Sequence, residues 1–334
     1  MKNNLITLIF IFIFFASCGD NKKEIVVYTT VDQVFSEPVL RDFEKATGIK
    51  VKAVFDTEET KSTGVVNRII AEKNNPQCNV FWSGDPLRAV FLKQKGLTMP
   101  FDCKEAAGID DVFKDKDKHW YGFSARARVL IYNKNMIKEE DVPESLLQLT
   151  EPQYKGKVAI ANPLFGTTTF HIAALFVVLG DEKAKRYLEE LKKNGVVIAA
   201  SNGDVKKRVA SGRIPLGLTD TDDAHEALKE GAPVGVVFTD QNGMGNLIIP
   251  NTVSIIKGTK NMDAAKQLVK YLLSKETERK LAESCAQMPL HKGVPVPPGV
   301  PSLDKIKPMD IDYETAAAKL EEIQNYLKRW VESR

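Results

Sequence analysis

The 334-residue chain is 43% hydrophobic and 27% charged, the balance of a soluble globular protein, and it is long enough for two lobes with cores of their own. Its 47 basic and 44 acidic side chains leave a formal charge of +3. That near balance, with no dense run of Lys and Arg, argues against nucleic-acid binding.

At the start, Lys2 precedes an apolar run from Leu5 to Phe15, too short for a spanning helix, followed by Ala16-Ser17-Cys18. Small residues before a cysteine resemble a bacterial lipobox. The expected organisation is a signal peptide over 1–17, lipid attachment at Cys18 and a polar tether over 18–23. Phe15 stands where leucine is more usual, and a simple secretory leader cleaved nearby is the alternative. Both readings export the mature chain, and no other stretch reads as transmembrane. Without Lys2 the balance is 46 basic against 44 acidic side chains. Cys78, Cys103 and Cys285 show no CxxC or Cys/His spacing suited to zinc. One disulfide with one free thiol, or three thiols, both fit.

Glu24 to Thr29 is a β-branched strand ending at Thr29-Thr30-Val31-Asp32. A helix should follow, carrying Phe35, Val39 and Phe43 and stopping at Gly48. Lys50 to Phe55 alternates as a strand, Asp56 to Gly64 is a polar loop, and Val65 to Lys73 is helical. Asn79 to Trp82 is a third strand, opening into Ser83-Gly84-Asp85-Pro86 and another helix. Strand–loop–helix units in series predict an α/β sheet with mostly parallel strands, whose ligands gather at the carboxyl ends of those strands.

Residues 121–133, YGFSARARVLIYN, form a long strand whose period of two places Arg126 and Arg128 on one face. Its length suits a crossover between lobes. A second αβ set runs from Val158 to about Phe238. Within it, Val158-Ala159-Ile160 reads as a strand broken by Asn162 and Pro163. Gly166 and three threonines come next, then an apolar helical run from Phe170 to Leu179. A helix starting just after Thr167 or Thr168 presents unpartnered amides and the positive end of its dipole, to which the hydroxyls add donors. Such a place holds an anion, although a plain threonine N-cap is the simpler use of these residues. Further polar loops follow at Ser201-Asn202-Gly203-Asp204 and at Thr219-Asp220-Thr221-Asp222-Asp223. Leu247 to Ile255 is a strand returning to the first lobe. Asn261 to Leu281 reads as helical, Val294 to Pro301 as an extended proline-rich linker and Tyr313 to Arg334 as a final amphipathic helix. No repeat is visible. The expected organisation is a discontinuous first lobe over 24–122 and 250–300, a second over 123–249, and a segment 301–334 assigned to neither.

This order of parts resembles the extracellular solute-binding proteins of ABC importers, in the branch that contains the ferric-ion-binding proteins. The matching stretches are VVYTTVDQVFSEPVLRDFEKATGIKV, NPQCNVFWSGDP, SARARVLIYN and LIIPNTVSIIKGTKN. The resemblance implies a two-lobed, type 2 periplasmic-binding-protein-like α/β fold with hinge closure over a ligand cleft. It also implies a permease and an ATPase as partners, a monomeric exported protein and no catalytic role. Ferric members use a histidine, a glutamate and two adjacent tyrosines. Here those places fall to about Asp32, to about Thr60 (with Glu58 and Glu59 nearby) and to the loop Thr219 to Asp223, which has no tyrosine. A ferric site would have to come from Asp32, Asp220, Asp222 and His225.

What carries over by resemblance is an anion cradle of Gly166, Thr167, Thr168, Asn202 and Arg126. The expected ligand is therefore a small anion of phosphonate or organophosphate type, with Asp220 and Asp222 receiving an ammonium or hydroxyls at its far end. Thr30, Thr60 and Ser83 complete the expected contacts, although capping is the common task of such residues. Asp220 and Asp222 should divide, one capping a helix and one facing the cleft. Trp82 reads as core or cleft wall, Lys206, Lys207 and Arg208 as a solvated helix face, and His119, His171 and His225 lack metal spacing. No cofactor is expected. An enzyme is disfavoured, since GxSxG, HExxH and P-loop motifs are absent and Gly243-Met244-Gly245 is incomplete as a dinucleotide fingerprint. Ferric iron with a synergistic anion, and a sensory partner of a membrane kinase, are the competing functions.

Overall fold

The computed structural model describes residues 24–56 and 64–333. The leader, the cysteine at its end and Thr60 with its neighbouring glutamates lie outside the described residues.

The first half builds β1 (Glu24–Thr29), α1 (Gln33–Thr47), β2 (Lys50–Phe55), α2 (Gly64–Ala71), β3 (Val80–Ser83), α3 (Pro86–Gln94), β4 (Thr98–Met99) and the long β5 (Tyr121–Asn133). The second half continues with β6 (Val158–Ala161), α4 (Gly166–Leu179), α5 (Asp181–Lys193), β7 (Val197–Ala199), α6 (Asn202–Ala210), β8 (Leu216–Asp220), α7 (Thr221–Lys229), β9 (Val234–Val237) and β10 (Ile248–Ile256). Helices α8 (Met262–Leu272), α9 (Lys275–Cys285) and α10 (Tyr313–Glu332) close the chain.

Local chemistry explains the boundaries. Val39 and Phe43 bury one face of α1, which ends where Gly48 adopts φ +72° and its amide bonds the Glu44 carbonyl. Asp85 accepts from the Arg88 amide and Pro86 opens α3, while Ser201 caps α6 through the Asp204 amide. The helix expected over 261–281 is instead two. Ser274 turns its hydroxyl onto the Thr277 amide at 3.2 Å and starts a new helix, which lets α8 and α9 bury separate faces.

Strand order is β2-β1-β3-β10-β5-β8-β6-β7, with β4 beside β10 and β9 beside β5. The outer strands of each half are parallel, as right-handed crossovers demand. The centre is antiparallel: β10 pairs with β3 and β5, and β5 with β8 and β9. All thirteen residues of β5 are buried. Its first half pairs with β10 and its second with β8, so one strand belongs to the sheets of both lobes. Where it crosses, Ser124 takes φ +44° opposite a register shift at Pro250/Asn251. Asn251 donates to the Ser124 carbonyl at 2.7 Å and Glu278 accepts the Ser124 amide at 2.8 Å, which holds that unusual backbone in place.

Helix α10 packs against helices of both halves, α3 and α4. Tyr313 packs between Trp120 and Phe170, with ring centroids 6.0 and 5.9 Å away. Glu314 meets Lys93 of α3 at 2.7 Å, and Trp330 donates to the Leu188 carbonyl of α5 at 3.2 Å. Trp82 is fully buried against Phe123 and is core rather than cleft wall. Cys78, Cys103 and Cys285 are free thiols, the first and last buried. Among the described residues no helix is long and apolar enough to cross a membrane.

Candidate functional site

The carboxyl ends of β1, β3, β6, β7 and β8 open onto one cleft of about 560 Å³. Each of these strands turns directly into a helix, so the starts of α1, α3, α4, α6 and α7 all face the cavity. The first-turn amides of a helix have no partner within it, and five such starts concentrate donors and positive dipole ends around one space. Gly166 occupies the first position of α4 with φ +58°, a conformation that strains any residue with a β-carbon. At Gly84 a β-carbon would lie 3.2 Å from Nη2 of Arg126, so glycine there admits the guanidinium.

Of the expected ligand-binding residues, Thr30, Asp32, Arg126, Gly166, Thr167, Asn202 and Asp222 line the cavity. Four others do not. Ser83 is fully buried and accepts from the Asp85 amide at 3.2 Å, organising the turn. Thr168 is buried and donates to Asn202 Oδ1 at 3.3 Å. Asp220 lies behind the wall. His225 points toward Gly299 in the proline-rich linker, on a different face of α7 from Asp222 and Glu226, which line the cavity. The ferric set proposed from sequence therefore does not assemble. The carboxylates that do converge are Asp220, Asp222 and Asp223, with an oxygen from each within 4.8 Å of the others.

The expected division between a capping and a cleft-facing aspartate holds only in part. Asp222 faces the cleft. Asp220 occupies the N-cap position of α7 but makes no side-chain cap, because its carboxylate turns to Arg128. Thr30 serves the fold as well as the wall, its hydroxyl accepting the Gly84 amide at 2.8 Å.

Arg126 and Arg128 do share a face of β5, and both reach the aspartates. Arg126 donates to the Gly84 carbonyl and holds Nη1 3.5 Å from Asp222 and 3.8 Å from Asp220. Arg128, passed over in favour of its neighbour, is the hub. Only 1% exposed, it bonds Asp220 Oδ1 at 2.7 Å, Asn202 Oδ1 at 3.1 Å, Thr167 Oγ1 at 3.2 Å and Thr168 Oγ1 at 3.3 Å. Burial opposes ionisation of Asp220, but Arg128 and then Arg126 hold its carboxyl below the usual range. Asp222 goes the other way: burial, with Asp220 and Asp32 beside it, outweighs Arg126 and pushes it up to about 6.

Sequence reasoning also missed part of the wall. Lys206 and Lys207, read as a solvated face, line the cavity, since α6 begins at the cleft and its second turn also borders it. Lys206 is buried against Glu226. Asp56, Asp85, Asp204, Asp223 and Glu226 also line it. Among the described residues the wall thus holds seven carboxylates against Arg126 and two lysines, and no tyrosine. His171 sits one turn into α4, its pKa lowered to about 3 by burial and then by Arg128. Burial and a cation together keep it neutral behind the cleft.

The profile of the bacterial extracellular solute-binding proteins matches residues 39–308. The chain is 26% identical over 304 residues to iron uptake protein A1 of Synechocystis, covering 87% of this chain and 82% of that one. It is 27% identical over 296 residues to a putative 2-aminoethylphosphonate-binding periplasmic protein of Salmonella typhimurium, covering 86% and 80%. In three dimensions it is similar to the periplasmic binding protein AfuA of Actinobacillus pleuropneumoniae, solved with fructose-6-phosphate bound. That match has TM-score 0.81 and 25% identity, and covers 93% of this chain and 98% of the other.

Proposed function

The chain belongs to the bacterial extracellular solute-binding proteins, and on that premise we propose that it captures a small organophosphorus solute for an ABC importer. The lobes close about β5 and β10 over the solute and present it to the permease, and the ATPase drives uptake. We place lobe 1 over 24–122 and 250–300 and lobe 2 over 123–249. The protein works as a monomer held to the membrane by a lipid on Cys18.

The charge pattern of the cleft is the observation that carries this reading. The wall offers helix-start amides at Gly166 and Asn202 with Arg126, which suit phosphoryl oxygens. It also offers Asp32, Asp56, Asp222 and Asp223, which suit an ammonium or sugar hydroxyls. A phosphonate or phosphate ester with such a second group engages both kinds of group. The likeness to a putative 2-aminoethylphosphonate-binding protein and to a structure holding fructose-6-phosphate supports the same chemistry.

A ferric reading has in its favour the convergence of Asp220, Asp222 and Asp223 and the likeness to iron uptake protein A1 of Synechocystis. It meets two obstacles. Arg126 and Arg128 already stand 2.7–3.8 Å from two of these carboxylates, so a trivalent ion would lie against fixed positive charge. The cleft also lacks the phenolates that resist ferric hydrolysis.

Calorimetric titration decides between them. Micromolar or tighter binding of 2-aminoethylphosphonate or a hexose phosphate, with ferric citrate inert, is expected. Tight ferric binding with no heat from either organophosphorus compound overturns the proposal. Native mass spectrometry of the purified protein identifies any solute carried through preparation.

A further inference from the structure

Thr167, Thr168, Asn202 and Arg128 are the side chains that would grip an oxyanion, yet their hydroxyl, carboxamide and Nη donors are committed inside the protein. Thr167 Oγ1 donates to Asp220 Oδ2 at 2.7 Å while accepting from Asn202 Nδ2 at 2.7 Å. The same Asn202 nitrogen donates to Asp220 Oδ2 at 3.1 Å. Arg128 Nη1 donates to Asp220 Oδ1 at 2.7 Å. Thr168 gives its proton to Asn202 Oδ1. The amide orientation of Asn202 follows from this arrangement, because a flipped carboxamide would set its oxygen against the Asp220 carboxylate.

A hydroxyl, a carboxamide and a guanidinium therefore converge on two carboxylate oxygens, as they would on two oxygens of a phosphate. Asp220 and Arg128 are each 1% exposed, so this pairing is closed to water.

We infer that Asp220 is a resident anion that fills the inner seat of the cradle and thereby sets the specificity of the cleft. A solute's oxyanion is confined to the outer rim, at the amides of α4 and α6 and at Arg126. A compact oxyanion with no second group to engage the acidic residues meets the fixed charges of Asp220 and Asp222 and is rejected. This rests on the cleft being the solute site, but its test uses inorganic phosphate and sulfate, which are independent of the physiological solute.

The experiment is Asp220→Asn, which keeps the shape and removes the charge. The wild type is expected to show no saturable binding of phosphate or sulfate in the millimolar range. D220N should bind them at least ~10-fold more tightly at the rim, since the positive charge of Arg128 behind it is no longer neutralised by a carboxylate. Arg128→Gln added to D220N should abolish the gain. Wild type that binds phosphate as well as D220N, or folded D220N that gains nothing, overturns the inference. If D220N fails to fold in chloride, the inference requires phosphate or sulfate to restore it, and failure in all three salts equally overturns it. Failure of the wild type to bind organophosphorus solutes would sink the proposed function while leaving a D220N gain intact.

Discussion

Two buried clusters of charge lie near the crossing strands, and they are completed to different degrees. Around Glu278 every valence is met. Oε1 accepts the amides of Ser124 at 2.8 Å and Leu290 at 2.9 Å, and Oε2 accepts the amide and Nδ1 of His291 at 2.9 and 2.8 Å. The other ring nitrogen reaches the Glu105 carbonyl at 2.7 Å. Both ring partners are pure acceptors, so both nitrogens carry protons and the ring is an imidazolium. Burial opposes that charge, but Glu278 and the Glu105 carbonyl raise the His291 pKa above its ordinary value. Burial likewise opposes the Glu278 charge, while His291 and three amides hold its pKa down.

The cleft cluster is left unfinished by comparison. Among the described residues, Nε of Arg126 and Nε of Arg128 have no partner, the Asp222 carboxyl is pushed up to about 6 by burial and its acidic neighbours, and carboxylates outnumber cations along the wall. Buried charge satisfied on all sides is scaffold. Buried charge left open toward a cavity is what a solute completes.

The contrast is broken most severely at the scaffold. Glu278→Ala orphans three amides and a buried imidazolium, and denaturant unfolding should show a loss of about 3–5 kcal/mol. A loss below ~1 kcal/mol would show that the pair is not structural. Arg126→Gln acts on the other cluster: organophosphorus affinity in calorimetry should fall by ~100-fold, with a smaller stability loss than at Glu278.

Proton linkage sharpens the comparison, because Asp222 and Glu278 shift in opposite directions. The folded-state pKa of Asp222 is raised from 3.8 to about 6. Its contribution is therefore fully present below pH 3.8 and lost as pH rises through 6. Asp222→Asn should flatten that slope in melting curves and raise neutral-pH stability by on the order of 2 kcal/mol. Glu278, with a lowered pKa, contributes above the ordinary carboxylate value of 4.5 and loses its contribution as pH falls through the depressed one. His291, with a raised pKa, contributes below 6.5 and loses its contribution as pH rises through the elevated one. The scaffold is thus at full strength in mild acid, where the cleft is beginning to store repulsion.

The smallest effect is kinetic. Cys285 ends α9, the helix that carries Glu278, and its thiol is pushed up to about 12 by burial and then by Asp222. Thiol labelling of the native protein should be slow, and a bound solute should slow it a further few-fold if closure shields the region.

Much of the fold was legible because its signals are local. Alternation in β5 placed Arg126 and Arg128 on one face, Gly48 marked the end of α1, and polar loops after short apolar strands marked the carboxyl ends that line the cleft. The site was legible to the level of loops and not of atoms. Ser83 and Thr168 were grouped with Thr30 and Thr167 because they share chemistry and loop position, and nothing local separates a hydroxyl facing the cavity from one turned into the wall. Lys206 and Lys207 looked like any solvated helix face, since only the placement of α6 at the cleft turns them toward the cavity.

Read alone, the sequence carried the family resemblance in its matching stretches, and it determined the order of strands and helices and the loops from which a solute site is built, which follow from periodicity and capping within a few residues. Only the tertiary structure decided that Arg128, Thr167, Asn202 and Asp220 close on one another and that the Asp220 carboxylate occupies the seat an outside anion would want. The physical reason is that a donor's partner is chosen by distance and direction through space, and these four residues come from four elements that meet only when the sheet is assembled.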